Sequence, residues 1–230
     1  MYIRLCPIRA GSSRPPVVRR TKQDALATRA SLLDAAERLF QAKGVSRTSL
    51  NDIALQAGTT RGAIYWHFSD KADLFNAMMA RVTLPLENAF QQAGADEDPL
   101  PGLRECVLRA LRNTAGDEQT RRVFEVATQK VEYVDEMGAV RSRHVAVRQQ
   151  FLDQMQRALR GSARRRGVRL AIPAAAAAYG LHALVDGLII NWLLDPSAFD
   201  LVKVGTQALD AYLAGLALPT LAAGAMRART

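Results

Sequence analysis

The stretch TSLNDIALQAGTTRGAIYWHFSDK at positions 48–71 leaves this chain few folds to adopt. Ser49 is placed to cap a short helix in which Leu50, Ile53, Ala54 and Ala57 share one face, because its hydroxyl can accept an orphan backbone N–H. Gly58 stops that helix through a positive φ, and Thr59 or Thr60 caps a second one directly after it. Two short helices joined by a tight glycine-containing turn form the helix-turn-helix pattern of DNA-binding proteins. In the second helix Tyr65, Trp66, His67 and Phe68 fall in a row, which a helix this short cannot bury entirely. At about 100° per residue, Ile64 and Phe68 turn inward, while Tyr65, Trp66 and His67 fan outward with O–H and N–H donors suited to a phosphate wall. Gly62 and Ala63 add no bulk to hold the helix out of a groove. Ser69 is expected to cap the following helix, whose first turn would aim the Lys71 ammonium and the positive dipole end at a phosphate.

The charge distribution points the same way. The 230-residue chain carries a formal charge of +9, and residues 1–71 hold 12 Lys and Arg against 5 Asp and Glu. Residues 17–71 alone still hold 9 against 5, so the surplus does not depend on the extreme N-terminus. A polyanionic partner explains such a surplus; a membrane surface explains it less well, since no segment is a strongly cationic amphipath. No run of 18 apolar residues is present, and basic residues interrupt what would have to be the apolar part of a signal peptide. Cys6 and Cys106 support neither a disulfide framework nor a zinc site, so a cytoplasmic, nucleoid-associated protein is expected.

Helical periodicity dominates the remainder and predicts an all-α chain of about nine helices. Residues 1–18 read as a disordered leader or a misassigned start, with translation then beginning at Val17 or Val18. Arg20 and Lys22 lie in a basic arm beside the helix-turn-helix, suited to a phosphate backbone or a minor groove. Residues 19–70 form the DNA-binding domain, 71–217 a larger helical ligand-binding and dimerisation domain, and 218–230 a mobile tail. A first helix over about 22–43 supports the two short ones and stops at Gly44. The fourth, over about 70–92, alone joins the two domains, and Pro85 is expected to kink it. The last two helices are apolar beyond one stripe. Leu181, Leu188 and Trp192 on one, with Val202, Leu209 and Tyr212 on the other, are assigned to a two-fold dimer through a four-helix bundle.

Gly44, Thr48, Ile53-Ala54, Ala57-Gly58, Gly62, Tyr65, His67-Phe68, Lys71 and Leu74, at fixed spacing, resemble the N-terminal signature of the TetR family of bacterial one-component transcription factors. The match runs from about Arg20 to Leu74, with Thr59 where the family usually has Val. The resemblance implies a homodimeric repressor that lays residues 59–67 of each subunit in a major groove of a palindromic operator. Arg61 is the best candidate for a guanine edge, with Thr59, Thr60 and Gly62 beside it and Trp66 close by; Thr48, Tyr65, His67 and Lys71 are assigned to phosphates. Val185-Asp-Gly-Leu188 is similar to a segment lining the effector cavity in the family's multidrug-efflux repressors. By that resemblance Phe124, Thr128, Val185, Asp186 and Ile190, with His182 nearby, border a pocket for a small lipophilic effector, and the operon controlled encodes an efflux pump.

Several polar groups, Asp186 among them, stand in apolar helices; a buried carboxylate there has to be paired. His144 and His182 are read as lacking a second ligand one turn away, so no metal is expected, nor any cofactor. No nucleophile elbow, phosphate-cradling glycine loop or His-Glu-x-x-His helix is present, which leaves enzymatic activity unsupported. The rival reading is an architectural or cell-division factor with a filled core and a protein partner, against which a cavity of several hundred Å³ would count.

Overall fold

The computed structural model describes residues 22–93, 97–131 and 138–219. These residues form nine helices and no strand: α1 (Lys22–Lys43), α2 (Leu50–Gln56), α3 (Arg61–His67), α4 (Lys71–Ala93), α5 (Pro99–Gly116), α6 (Glu118–Gln129), α7 (Gly138–Arg165), α8 (Ala174–Leu194) and α9 (Leu201–Gly215). The expected all-α architecture is therefore present. Arg20, the leader and nearly all of the tail lie outside the described residues.

Two hydrophobic cores organise the chain. The smaller gathers Leu32, Leu33 and Phe40 of α1, Ile53 of α2, Ile64 of α3, the capping Phe68, and Leu74, Phe75 and Met78 of α4. The larger is built on Leu103 and Leu111 of α5, Leu152 and Leu159 of α7, Leu181 of α8 and Leu209 and Leu213 of α9. Val123 and Val126 of α6 and Val140 of α7 belong to the smaller core, not the larger one. This corrects the expectation that α4 alone connects the two parts, because the DNA-side helices also pack against α6. The Val45 N–H donates to the Lys130 carbonyl at 3.1 Å, and Gln41 Nε2 donates to Glu125 at 2.8 Å.

A polar hub lies at the same seam. Glu37 of α1 is buried and receives Arg81 Nη1 of α4 at 2.9 Å and Gln119 Nε2 of α6 at 3.0 Å. Arg81 also donates to Asp34 at 2.6 Å. Three helices therefore meet on one carboxylate, and burial raises the Glu37 carboxyl above its ordinary 4.5 despite the nearby cations. α4 runs on unbroken through Pro85 to Ala93, and Pro85 is exposed on its outer side.

The dimer assignments divide. Leu181, Trp192 and Leu209 are buried in the larger core of a single subunit, so they are corrected to intramolecular packing. Leu188, Val202 and Tyr212 are half-buried. The Tyr212 hydroxyl donates to the Ala177 carbonyl at 2.9 Å, joining α9 to α8. What remains open on α8 is a stripe at helical spacing, Tyr179, Ala183, Gly187, Ile190 and Leu194, of which Leu194 is 67% exposed. By length and composition α8 could cross a bilayer, but His182, Asp186 and Asn191 interrupt it and its inner face packs in the larger core.

Candidate functional site

The reading head is assembled from local rules. Ser49 and Asp52 form a reciprocal capping box at the start of α2, the Asp52 N–H donating to Ser49 Oγ at 3.1 Å and the Ser49 N–H to Asp52 Oδ2 at 3.0 Å. The hydrogen bonds from Ser49 hold the Asp52 carboxyl below its ordinary range. Gly58 takes φ +66, a value a side chain would make costly, and its N–H donates to the Leu55 carbonyl at 3.1 Å. Thr60 rather than Thr59 caps α3, accepting from the Ala63 N–H at 3.2 Å. The cap of α4 is Asp70 and not Ser69: the Asp73 N–H donates to Asp70 Oδ1 at 2.7 Å, while the Ser69 N–H donates outward to Asp73 Oδ2 at 3.0 Å.

Ile64 and Phe68 anchor α3 inward, and the opposite face is open. Trp66 is 75% and Tyr65 49% exposed, and Thr60, Arg61 and Gly62 are exposed beside them. His67 and Thr59 are half-buried at the edges. Arg61 stacks over the Tyr65 ring at 5.7 Å, and Trp66 meets His67 edge-on at 4.8 Å, so the surface aromatics are held in place by one another. A Cβ on Gly62 would meet only Thr60 Oγ1, at 3.9 Å. Nothing inside the protein requires glycine there.

Two assigned phosphate contacts are turned inward. Thr48 is 1% exposed, its hydroxyl donating to the Gly44 carbonyl at 2.8 Å. Lys71 is 8% exposed and its ammonium donates to the Ser46 and Thr48 carbonyls at 3.4 and 3.3 Å. Both side chains brace the loop before α2; neither reaches outward in this conformation. For Lys71 the reason is non-local, since the α1–α2 turn presents backbone carbonyls opposite the start of α4; Thr48 bonds back to a carbonyl only four residues away. Lys22 is exposed at the first described position.

In the C-terminal part, a cavity of about 300 Å³ opens between α4, α5, α6, α7 and α8. All six residues assigned to an effector pocket line it: Phe124 and Thr128 from α6, and His182, Val185, Asp186 and Ile190 from α8. Sequence reading missed most of the remaining wall, namely Phe75, Met79 and Leu86 of α4, Val107 of α5, and Arg143, Val147, Arg148, Phe151 and Met155 of α7. The signal was available in α7, where residues 144, 147, 148, 151 and 155 recur at helical spacing. Asp186 is not buried: its side chain is 53% exposed at the cavity mouth, 3.0 Å from His182 Nδ1. His182 does have a second potential ligand one turn away, contrary to expectation, but that carboxylate lies against its own Nδ1 at 3.0 Å.

Phe75 joins the two sites. It lines the cavity, belongs to the smaller core and lies with its ring centroid 6.2 Å from that of Phe40. The same side chain therefore belongs both to the cavity wall and to the core beneath α2 and α3.

Comparison with known proteins agrees with this arrangement at both ends of the chain. Residues 32–78 match the model of the bacterial regulatory proteins of the TetR family, and residues 98–218 match the C-terminal region of MAATS-type transcriptional repressors. The HTH-type transcriptional regulator TtgR of Pseudomonas putida is 38% identical over 188 residues, covering 81% of this chain and 90% of that protein. The crystal structure of NalD, the secondary repressor of the MexAB-OprM multidrug efflux pump in Pseudomonas aeruginosa, is similar with a TM-score of 0.77 and 38% identity, covering 85% of this chain and 98% of that one. The SmeT–triclosan complex, whose protein represses the SmeDEF multidrug efflux pump of Stenotrophomonas maltophilia, gives a TM-score of 0.73 at 34% identity, covering 82% and 90%. With both regions matched and relatives aligned over most of their length, the chain belongs to the TetR family of bacterial transcriptional regulators, whose members bind operator DNA as dimers.

Proposed function

We propose that this protein represses a multidrug-efflux operon and leaves its operator when a small lipophilic molecule fills the cavity between α4 and α8. The observation that carries the reading is the shared wall: Phe75 faces the cavity and packs in the core that supports α2 and α3. A ligand releases DNA only by favouring a conformation in which the two reading heads are wrongly spaced. Coupling of about 1–3 kcal/mol gives a 5- to 150-fold loss of affinity.

In this reading Arg61 takes a guanine edge through its bidentate fork, Thr59, Thr60 and Gly62 lie against the base edges, and Tyr65, Trp66 and His67 meet phosphates. Arg20 and Lys22 follow the backbone beside them. Thr48 and Lys71 act by fixing the loop that positions α2. Phe124, Thr128, His182, Val185, Asp186 and Ile190 contact the effector. The outer stripe of α8, with Leu188, Val202 and Tyr212 at its margin, faces the second subunit. The protein works in the cytoplasm on the nucleoid, as a binder and not a catalyst. A cavity of about 300 Å³ in the regulatory domain counts against a filled-core architectural factor.

The test is footprinting of the DNA upstream of the gene, with and without triclosan, the ligand named with SmeT. Protection of an inverted repeat, with half-site centres about 34–36 Å apart or slightly more, is expected, and its loss on adding the ligand. Binding that favours no inverted repeat over bulk DNA would defeat the repressor reading.

A further inference from the structure

The polar side of the cavity is predominantly basic. α7 contributes Arg143, His144 and Arg148, and α8 contributes His182 and Asp186, facing apolar walls such as Phe75, Met79, Phe124 and Phe151. Asp186 is the one carboxylate among the described lining residues, and it is already engaged by His182 Nδ1 at 3.0 Å. Neither Arg143 nor Arg148 has an ion-pair partner among the described residues. Both are exposed, so neither pays a burial penalty while it waits.

We infer that the effector is an amphipathic organic anion, its lipophilic body seated against α4 and α6 and its acidic group held by the Arg143 and Arg148 guanidiniums. The inference rests on the cavity being the effector site. A guanidinium forms charge-assisted bonds with a carboxylate or sulfonate that a neutral head cannot match, while a cationic head meets two unneutralised like charges. Because the arginines are at an open mouth, solvent screens them, and a discrimination of about tenfold is the reasonable scale. Asp186, half-exposed at the same mouth and 3.0 Å from His182 Nδ1, is the single acidic group set against the two guanidiniums.

Isothermal titration of the purified full-length chain with 4-biphenylcarboxylate, biphenyl-4-methanol and biphenyl-4-ylmethylammonium separates the two claims. The carboxylate should bind about tenfold tighter than the alcohol, with the ammonium weakest. In Arg143→Gln/Arg148→Gln the carboxylate should fall to parity with the alcohol. Ala110, which also lines the cavity, is replaced by Phe to fill it. Equal binding of all three probes, lost in Ala110→Phe, would keep the cavity as the effector site and overturn the charge assignment. Ammonium binding as tight as carboxylate binding, or a preference that survives loss of both arginines, also overturns it. Absence of binding by every probe would remove the cavity reading and this inference together.

Discussion

Gly58 and Gly62 lie close in sequence and serve opposite needs. At Gly58 the backbone itself, at φ +66, excludes a side chain, so Gly58→Ala should cost about 1 kcal/mol of stability, read by urea denaturation. At Gly62 there is open space, so Gly62→Leu should leave stability unchanged or slightly raised, since glycine is a poor helix former. Its effect should appear in operator affinity, as a loss of at least about tenfold in a band-shift assay, because bulk there holds α3 out of the groove. If Gly62→Leu binds like wild type, α3 is not the element that enters the groove.

Glu37 gives a second residue-level prediction. Its folded-state pKa is raised, chiefly by burial, so the folded state holds the proton more tightly than the unfolded chain does. The stability this contributes is complete below 4.5 and is lost as pH rises through the raised value. The Tm of Glu37→Gln relative to wild type should therefore climb from pH 4.5 towards neutrality. A difference that stays flat with pH means that the hub does not disfavour ionisation.

At the scale of elements, the helix ends were the most legible part of the chain. Ser49, Gly44, Gly58 and the Thr59/Thr60 pair carry their instructions within a few residues, and the structure uses them. Ser69 misleads because Asp70 next to it is an equally good cap and sits one residue closer to the helix. Lys71 was illegible for a different reason: its partners are backbone carbonyls of a loop brought opposite α4 by folding, and no local pattern announces that; Thr48 instead bonds back to the Gly44 carbonyl, four residues away. The apolar excess of α8 and α9 was visible, but which residues of it face a partner depends on where α5 and α7 pack. Gly180 shows how closely α8 and α9 approach: a Cβ there would come within 2.2 Å of the Tyr212 hydroxyl and 3.1 Å of its ring. Gly180→Ala should cost about 1–3 kcal/mol by overpacking. Tyr212→Phe in that background should recover part of the loss, since it removes the nearest atom. Additive losses in denaturant melts of the single and double variants would show that the α8–α9 contact is not the source of strain.

For the whole molecule, the fold and the cavity's α6 and α8 walls were legible in the sequence, the latter through resemblance; α7 carries its wall at helical spacing without saying what that face meets, and the α4 wall emerges only in three dimensions. Dimerisation can be tested on the stripe that the subunit leaves open. Leu194→Glu and Tyr179→Glu together should shift the protein to monomer in sedimentation velocity while leaving helix content intact, because both positions are exposed in the subunit. A dimer unaffected by both would place the two-fold axis elsewhere. If a dimer neutralises about eight phosphates, log affinity for the operator should fall against log salt with a slope of about −7.

Phe75 has a consequence for genetics. Because one ring roofs the cavity and underpins α2 and α3, the proposed function has screens for mutants deaf to inducer and screens for mutants that have lost repression converge on neighbouring codons of α4. Under the proposed function the same adjacency gives derepression a short mutational route, through loss of the Phe75 packing with no damage to the surface that touches DNA.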